Sequence, residues 1–89
     1  MKIKLELFGA SRDFSNKDYL DLEIRYKSSI NDLRNEIIRY INKNFQGNEN
    51  FIKVVKSSAF CSENNEIISD NYKITKDQKI GIIPRIGGG

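Results

Sequence analysis

Few groups in this sequence could do chemistry unaided. There is no histidine and only one cysteine, Cys61. The commonest general base is therefore missing, and so is a usual tetrahedral zinc set. The distinctive stretch is the last one, Ile82-Ile83-Pro84-Arg85-Ile86-Gly87-Gly88-Gly89. An apolar run meets the only proline of the chain, then one arginine, then three glycines. Proline removes a ladder donor and fixes φ, so it ends the strand. Glycines offer nothing to pack and wide backbone freedom, so residues 87–89 are expected to form an extended, mobile tail that could thread a narrow channel. The carboxylate of Gly89 would be the reactive group of such a tail. A carboxylate is a poor acyl donor at neutral pH and must first be activated. The plain alternative for a triple-glycine end is an idle terminus.

The elements that would hold this tail can be read from periodicity. Residues 2–8 alternate, with Ile3, Leu5 and Leu7 on one face, and residues 19–25 alternate again through Leu20, Leu22 and Ile24. Both read as half-buried strands of an antiparallel hairpin. The segment 9–17 between them is polar and turn-like. The period then changes: Ile30, Leu33, Ile37, Ile41 and Phe45 recur at three and four, with Ile38 widening the stripe, which predicts an amphipathic helix over 30–45. Ser29 and Asp32 have the spacing of a capping box, and Gly47 suits a helix stop. Residues 48–58 show no clear element, although Phe51, Ile52, Val54 and Val55 should reach the core. Short strands are expected at 59–62 and 66–69 around the turn Glu63-Asn64-Asn65. The stretch 70–77 reads as a connection anchored by Ile74, and 79–83 as the final strand. The order β-β-α-β-β-β predicts an α+β domain, a mixed sheet of about five strands covered on one face by one main helix. The economical closure places the last strand beside the first, parallel and central. One domain, 1–86, carries the tail 87–89.

Composition removes several function classes. Fifteen Lys and Arg against twelve Asp and Glu give +3, and the charges are dispersed. No basic block tracks phosphates, so nucleic acid is not an expected partner. No apolar run reaches the length of a membrane span, and no apolar export segment opens the chain, so no membrane partner is expected. A single cysteine forms no intrachain disulfide, which fits a reducing, cytoplasmic setting. Cys61 could be imagined as a sulfur acceptor, but in a short strand it reads as a small buried hydrophobe.

At this point the residues resemble a known family, the small subunit of molybdopterin synthase, a ubiquitin-like β-grasp protein that carries sulfur. Almost the whole chain takes part. Strand one runs into Leu7-Phe8-Gly9-Ala10-Ser11-Arg12-Asp13, similar to the family's Phe-Ala-x-x-Arg-Glu signature. A single helix follows the second strand. Ile74-Thr75-Lys76-Asp77-Gln78-Lys79-Ile80 is like the family's Leu-x-Asp-Gly-Asp-x-Val turn. Ile82-Ile83-Pro84 leads to the terminal Gly88-Gly89 at the family's distance. The chain departs from the pattern at Arg85, where a second proline is usual, and at Gly87, where a small or polar residue is common.

The resemblance implies a function. An E1-like adenylating enzyme would use ATP to activate Gly89, with no cofactor bound by this chain. Sulfur would replace AMP to give a C-terminal thiocarboxylate. The large subunit of molybdopterin synthase, in a heterotetramer, would use that sulfur on the cyclic pyranopterin precursor of the molybdenum cofactor. Gly88 would permit close approach in a closed channel, and Gly87 would belong to the partner-facing tail. By position, Phe8, Ile67 and Ile83 match the family's apolar contact patch, or else are ordinary core residues. Arg12 and Arg85 would meet acidic groups at the partner's channel mouth, or else are solvated charges. Carriers of the thiamine and tRNA-thiolation pathways, ubiquitin-like protein modifiers and a plain interaction module remain alternatives, because all of these carriers end alike.

Overall fold

The computed structural model describes residues 1–85; the expectations placed on Ile86, Gly87, Gly88 and Gly89 lie outside the described residues. The alternating segments form β1 (Lys2–Leu7) and β2 (Tyr19–Glu23), paired antiparallel with Leu5 opposite Leu20. The helical period forms α1 (Ile30–Asn44). Ser29 Oγ accepts the Asp32 N–H at 3.0 Å and Asp32 Oδ2 accepts the Ser29 N–H at 2.9 Å, so two otherwise orphaned donors are satisfied reciprocally. These bonds, first the backbone one from Ser29 and then the hydroxyl, hold the Asp32 carboxyl below its ordinary value. A two-residue strand, β3 (Ser28–Ser29), precedes α1.

The chain continues through α2 (Glu49–Ser57), β4 (Ala59–Cys61), β5 (Ile67–Ile68), β6 (Lys73–Ile74) and β7 (Gln78–Ile83). The main sheet has five strands in the order β2-β1-β7-β4-β5, and β7 runs parallel to β1 at its centre, as the closure argument required. β3 and β6 pair in a separate ribbon that seats Ile74, fully buried, under α1. Ile3, Leu5, Leu7, Ile80, Ile82 and Phe60 on the inner sheet face meet Ile30, Leu33, Ile37 and Ile41 of α1 in one core.

Several segments depart from expectation. The stretch 70–77, read as a connection, carries β6, which pairs with the unexpected β3 just before α1. Residues 48–58, which showed no clear element, form α2. Asn48 caps it by accepting the Phe51 N–H at 3.1 Å. Val55 is buried and Phe51, Ile52 and Val54 are half-buried, so all four reach the core as expected. Short apolar runs broken by lysine do not separate helix from strand by period alone. The turn-like segment 9–17 contains a 3-10 helix, Gly9–Phe14, that delivers Phe14 fully buried into the core. Phe14 lies 5.1 Å from the Phe51 ring, and its carbonyl accepts the Tyr40 hydroxyl at 2.7 Å. This burial raises the Tyr40 pKa.

A buried arginine joins the two helices. Arg34 Nη1 donates to the carbonyls of Val55 (2.7 Å), Ser58 (2.9 Å) and Lys56 (3.3 Å), while Nη2 meets Asp70 Oδ1 at 2.7 Å. Its guanidinium also stacks over Phe60, 4.9 Å from the ring centroid. One side chain thus satisfies the carbonyl end of α2 and fixes the point where α2 hands over to β4.

Candidate functional site

Strand alternation decides what the open face of the sheet carries. In β7, Ile80 and Ile82 point to the core, so Lys79, Gly81 and Ile83 point outward. In β4, Phe60 points inward and Cys61 outward; in β5, Ile67 lies opposite Cys61. Register then aligns the outward residues: Gly81 is opposite Cys61, and Ile83 opposite Ala59. Phe8, just past β1, reaches the same place, because a Cβ built on Gly81 would lie 3.0 Å from Phe8 Cε2 and 2.7 Å from Cys61 Sγ.

Phe8, Ala59, Ile67 and Ile83 therefore form one apolar surface around Gly81. Phe8 is 40% exposed and Ile67 is 67% exposed, so neither is an ordinary core residue. Ile83 is half-buried and serves both the fold and the face. Cys61 is 5% exposed and lies beneath this surface, in keeping with a small hydrophobe. The other half of the open face is charged. Lys79 Nζ pairs with Glu6 Oε2 at 3.2 Å, and Lys4 sits 4.3 Å from the Tyr19 ring centroid.

The strand that bears the tail leaves the sheet at the edge of the apolar half. Pro84 is half-buried against Gly9, where an added Cβ would lie 3.9 Å from both Pro84 Cδ and Cγ. Gly9 has φ +54°, a left-handed conformation that glycine adopts without a Cβ penalty. The loop that holds Phe8 is pinned by Ser11, fully buried. Its Oγ accepts the Phe8 N–H at 2.9 Å and donates to the Phe8 carbonyl at 2.6 Å.

Of the two arginines, Arg12 pairs within the chain: Nη2 is 3.0 Å from Asp18 Oδ1, with both side chains largely in solvent. Such a pair contributes little to stability, at most about 1 kcal/mol. Arg85 is exposed where the strand has ended. The structure thus brings together Phe8, Ile67 and Ile83 and places Arg85 beside them along the chain. Gly87, Gly88 and Gly89 lie outside the described residues.

Comparison with solved structures decides the fold. A Pyrococcus furiosus protein described as molybdopterin converting factor, subunit 1, superposes with a TM-score of 0.69 at 18% identity, over 96% of this chain and 98% of that one. The chain has a ubiquitin-like β-grasp fold. SAMP1 from Haloferax volcanii gives a TM-score of 0.67 at 10% identity, with both chains covered completely. A ubiquitin from Caldiarchaeum subterraneum gives 0.62 at 16% identity, covering 100% of this chain and 98% of that one. No protein-family model matches the sequence, and no curated protein matches it. With identities this low the likeness is one of β-grasp architecture.

Two residues that matter to the site went unnoticed in the sequence. Gly81 interrupts an apolar strand, which is itself a signal of close approach by a neighbour. Arg34 falls on the apolar stripe of α1, four residues after Ile30, and a cation there signals a buried network. Among the described residues no helix is long and apolar enough to cross a membrane.

Proposed function

We propose that this protein is the sulfur-carrier subunit of a molybdopterin synthase. The observation that carries this reading is the convergence of Phe8, Ile67 and Ile83 on one open sheet face, at the point where β7 gives way to the glycine-ended stretch. A partner that takes the Gly89 end into its own pocket must cover this face, because the chain from Ile83 to Gly89 is too short to reach past it. The six residues beyond Ile83, fully extended, span at most about 20–22 Å. The resemblance in the Leu7–Asp13 and Ile74–Ile80 segments, and the name of the Pyrococcus furiosus neighbour, support this choice of pathway.

The reaction is the one the family resemblance implies, and it meets the need of a carboxylate to be activated before acyl transfer. An E1-like enzyme joins the Gly89 carboxylate to the AMP portion of ATP and releases pyrophosphate. Hydrosulfide, or a persulfide whose S–S bond a thiol then cleaves to a disulfide, attacks the acyl carbon, and AMP leaves with the former carboxyl oxygen. The product is a thiocarboxylate. On the large synthase subunit its sulfur passes to the pyranopterin precursor, and water restores the carboxylate. A closed pocket protects the adenylate from premature hydrolysis. Glycine at 88 and 89 keeps the channel narrow. In this scheme the partner supplies the acid and base, and the chain acts as a cosubstrate that completes its partner's site.

A second reading, a ubiquitin-like protein modifier, is favoured by the likeness to the Caldiarchaeum ubiquitin. Intact-mass analysis of protein recovered from its native cells separates the two. The carrier gains the mass difference of one sulfur for one oxygen at its C-terminus. Ladders of conjugates on lysine, without that gain, would overturn the carrier reading.

A further inference from the structure

Gly81 sits at the middle of β7, where a glycine weakens a strand and needs a reason. Its backbone supplies none: its φ is not positive, unlike that of Gly9 or Gly47. The reason is the space on its outer side. Cys61 Sγ fills part of that space and the Phe8 ring the rest, with Cε2 and Cδ2 at 3.0 Å and 3.6 Å from where a Cβ would be. Carbon atoms pack comfortably at about 3.5–4.0 Å, so any side chain here would lift the ring or push the sulfur aside.

The ring cannot escape such a push by moving its backbone. Ser11 fixes the Phe8 N–H and carbonyl through the three contacts of the turn: Oγ in both directions, and Ser11 N–H to the Phe8 carbonyl at 3.1 Å. A Cβ at 81 would therefore change the tilt of the ring relative to Ile67 and Ile83. Phe8 exposes one side to solvent while the other lies on the glycine, so the absence of a side chain at 81 turns a projecting aromatic into a level apolar floor.

We infer that Gly81 is a positioning residue, the seat that holds the Phe8 ring level with Ile67 and Ile83 for docking of the catalytic large subunit. This rests on the carrier reading above, which names the occupant of the face. The residue acts through Phe8 and touches no reacting atom.

The test is a double-mutant cycle in a Cys61→Ala background, which removes the sulfur contact and leaves only the ring to be disturbed. Affinity for the large subunit of molybdopterin synthase is measured by calorimetry for Gly81→Ala, Phe8→Ala and the pair. Gly81→Ala is expected to weaken binding about tenfold, the loss typical of a disturbed aromatic anchor. In the Phe8→Ala background the same change should cost nothing further, because the ring it displaces is gone. Losses that multiply, or a Gly81→Ala chain that binds like its background, would overturn the inference. Unchanged affinity in Phe8→Ala alone would instead remove the docking face, and with it the carrier reading. A second measurement needs no change at position 81. Nuclear Overhauser contacts between the Phe8 ring and the Gly81 α-protons, with ring-current shifts of those protons that vanish in Phe8→Leu, are expected in the isolated chain. Their absence would show that the ring is not seated.

Discussion

Replacing Arg34 by methionine keeps much of the apolar stem and removes the guanidinium. The side chain is 11% exposed, whereas its acidic partner Asp70 is 62% exposed. The four polar contacts therefore differ in worth. The ion pair to Asp70 opens to water and contributes at most about 1 kcal/mol. The bonds to the Val55 and Ser58 carbonyls are short and buried, and hydrogen bonds from a charged donor contribute about 1.5–3 kcal/mol each. Val55 keeps a second donor, the Ser58 N–H at 3.3 Å, which lowers its share. Relief of the desolvated charge also offsets part of the loss. The net expectation is a loss of about 2–3 kcal/mol. A domain of this length holds roughly 4–13 kcal/mol in all, so the change is a large one. Urea unfolding should show the midpoint falling by about 1–2 M with the slope unchanged. Asp70→Asn should cost less than about 1 kcal/mol. If Arg34→Met stayed within about 0.5 kcal/mol of the parent, or Asp70→Asn cost as much, the carbonyl bonds would not be what joins α2 to β4, and the argument would fail.

Other outcomes follow from the structure together with the proposed carrier role. Deleting Gly88-Gly89 should leave the unfolding midpoint unchanged and abolish sulfur transfer in a reconstituted synthase assay; normal activity in the truncated chain would remove the mechanism. Ile67→Asp, at a mostly exposed position, should change stability by no more than about 0.5 kcal/mol while weakening large-subunit binding in calorimetry. Ile83→Asp should do both kinds of damage, since Ile83 is half-buried opposite Ala59, and the two variants compared by thermal melting separate face from core. The Asp32 carboxyl is lowered in the folded chain from an ordinary value near 3.8. Its contribution is thus present above that value and is lost as pH falls through the lowered one. The difference in melting temperature between the parent and Asp32→Asn should shrink on acidification below about pH 4, and a difference that grew would contradict the cap.

Much of the architecture was legible along the chain because its patterns are local. The alternation of Ile3, Leu5 and Leu7 and the three-four spacing from Ile30 to Ile41 specify one buried face each. The pair Ser29 and Asp32 closes its own cap within three residues. α2 was hidden because Phe51, Ile52, Val54 and Val55 form a short run broken by lysines, whose face is set by packing against Phe14 and Phe45. Likewise the buried end of the 3-10 helix depends on Phe14 finding an aromatic cluster supplied by residues far along the chain.

The sequence alone determined that this is an α+β chain with a parallel central strand, since periodicity and residue type act over a few positions. It could not decide whether Phe8, Ile67 and Ile83 belong to a core or to a face. That depended on register: β4 and β5 set Cys61 and Ile67 across from Gly81, and Gly81 leaves the gap into which the Phe8 ring descends. Side-chain alternation fixes which residues share a side of a strand, but only the pairing of distant strands fixes which of them become neighbours.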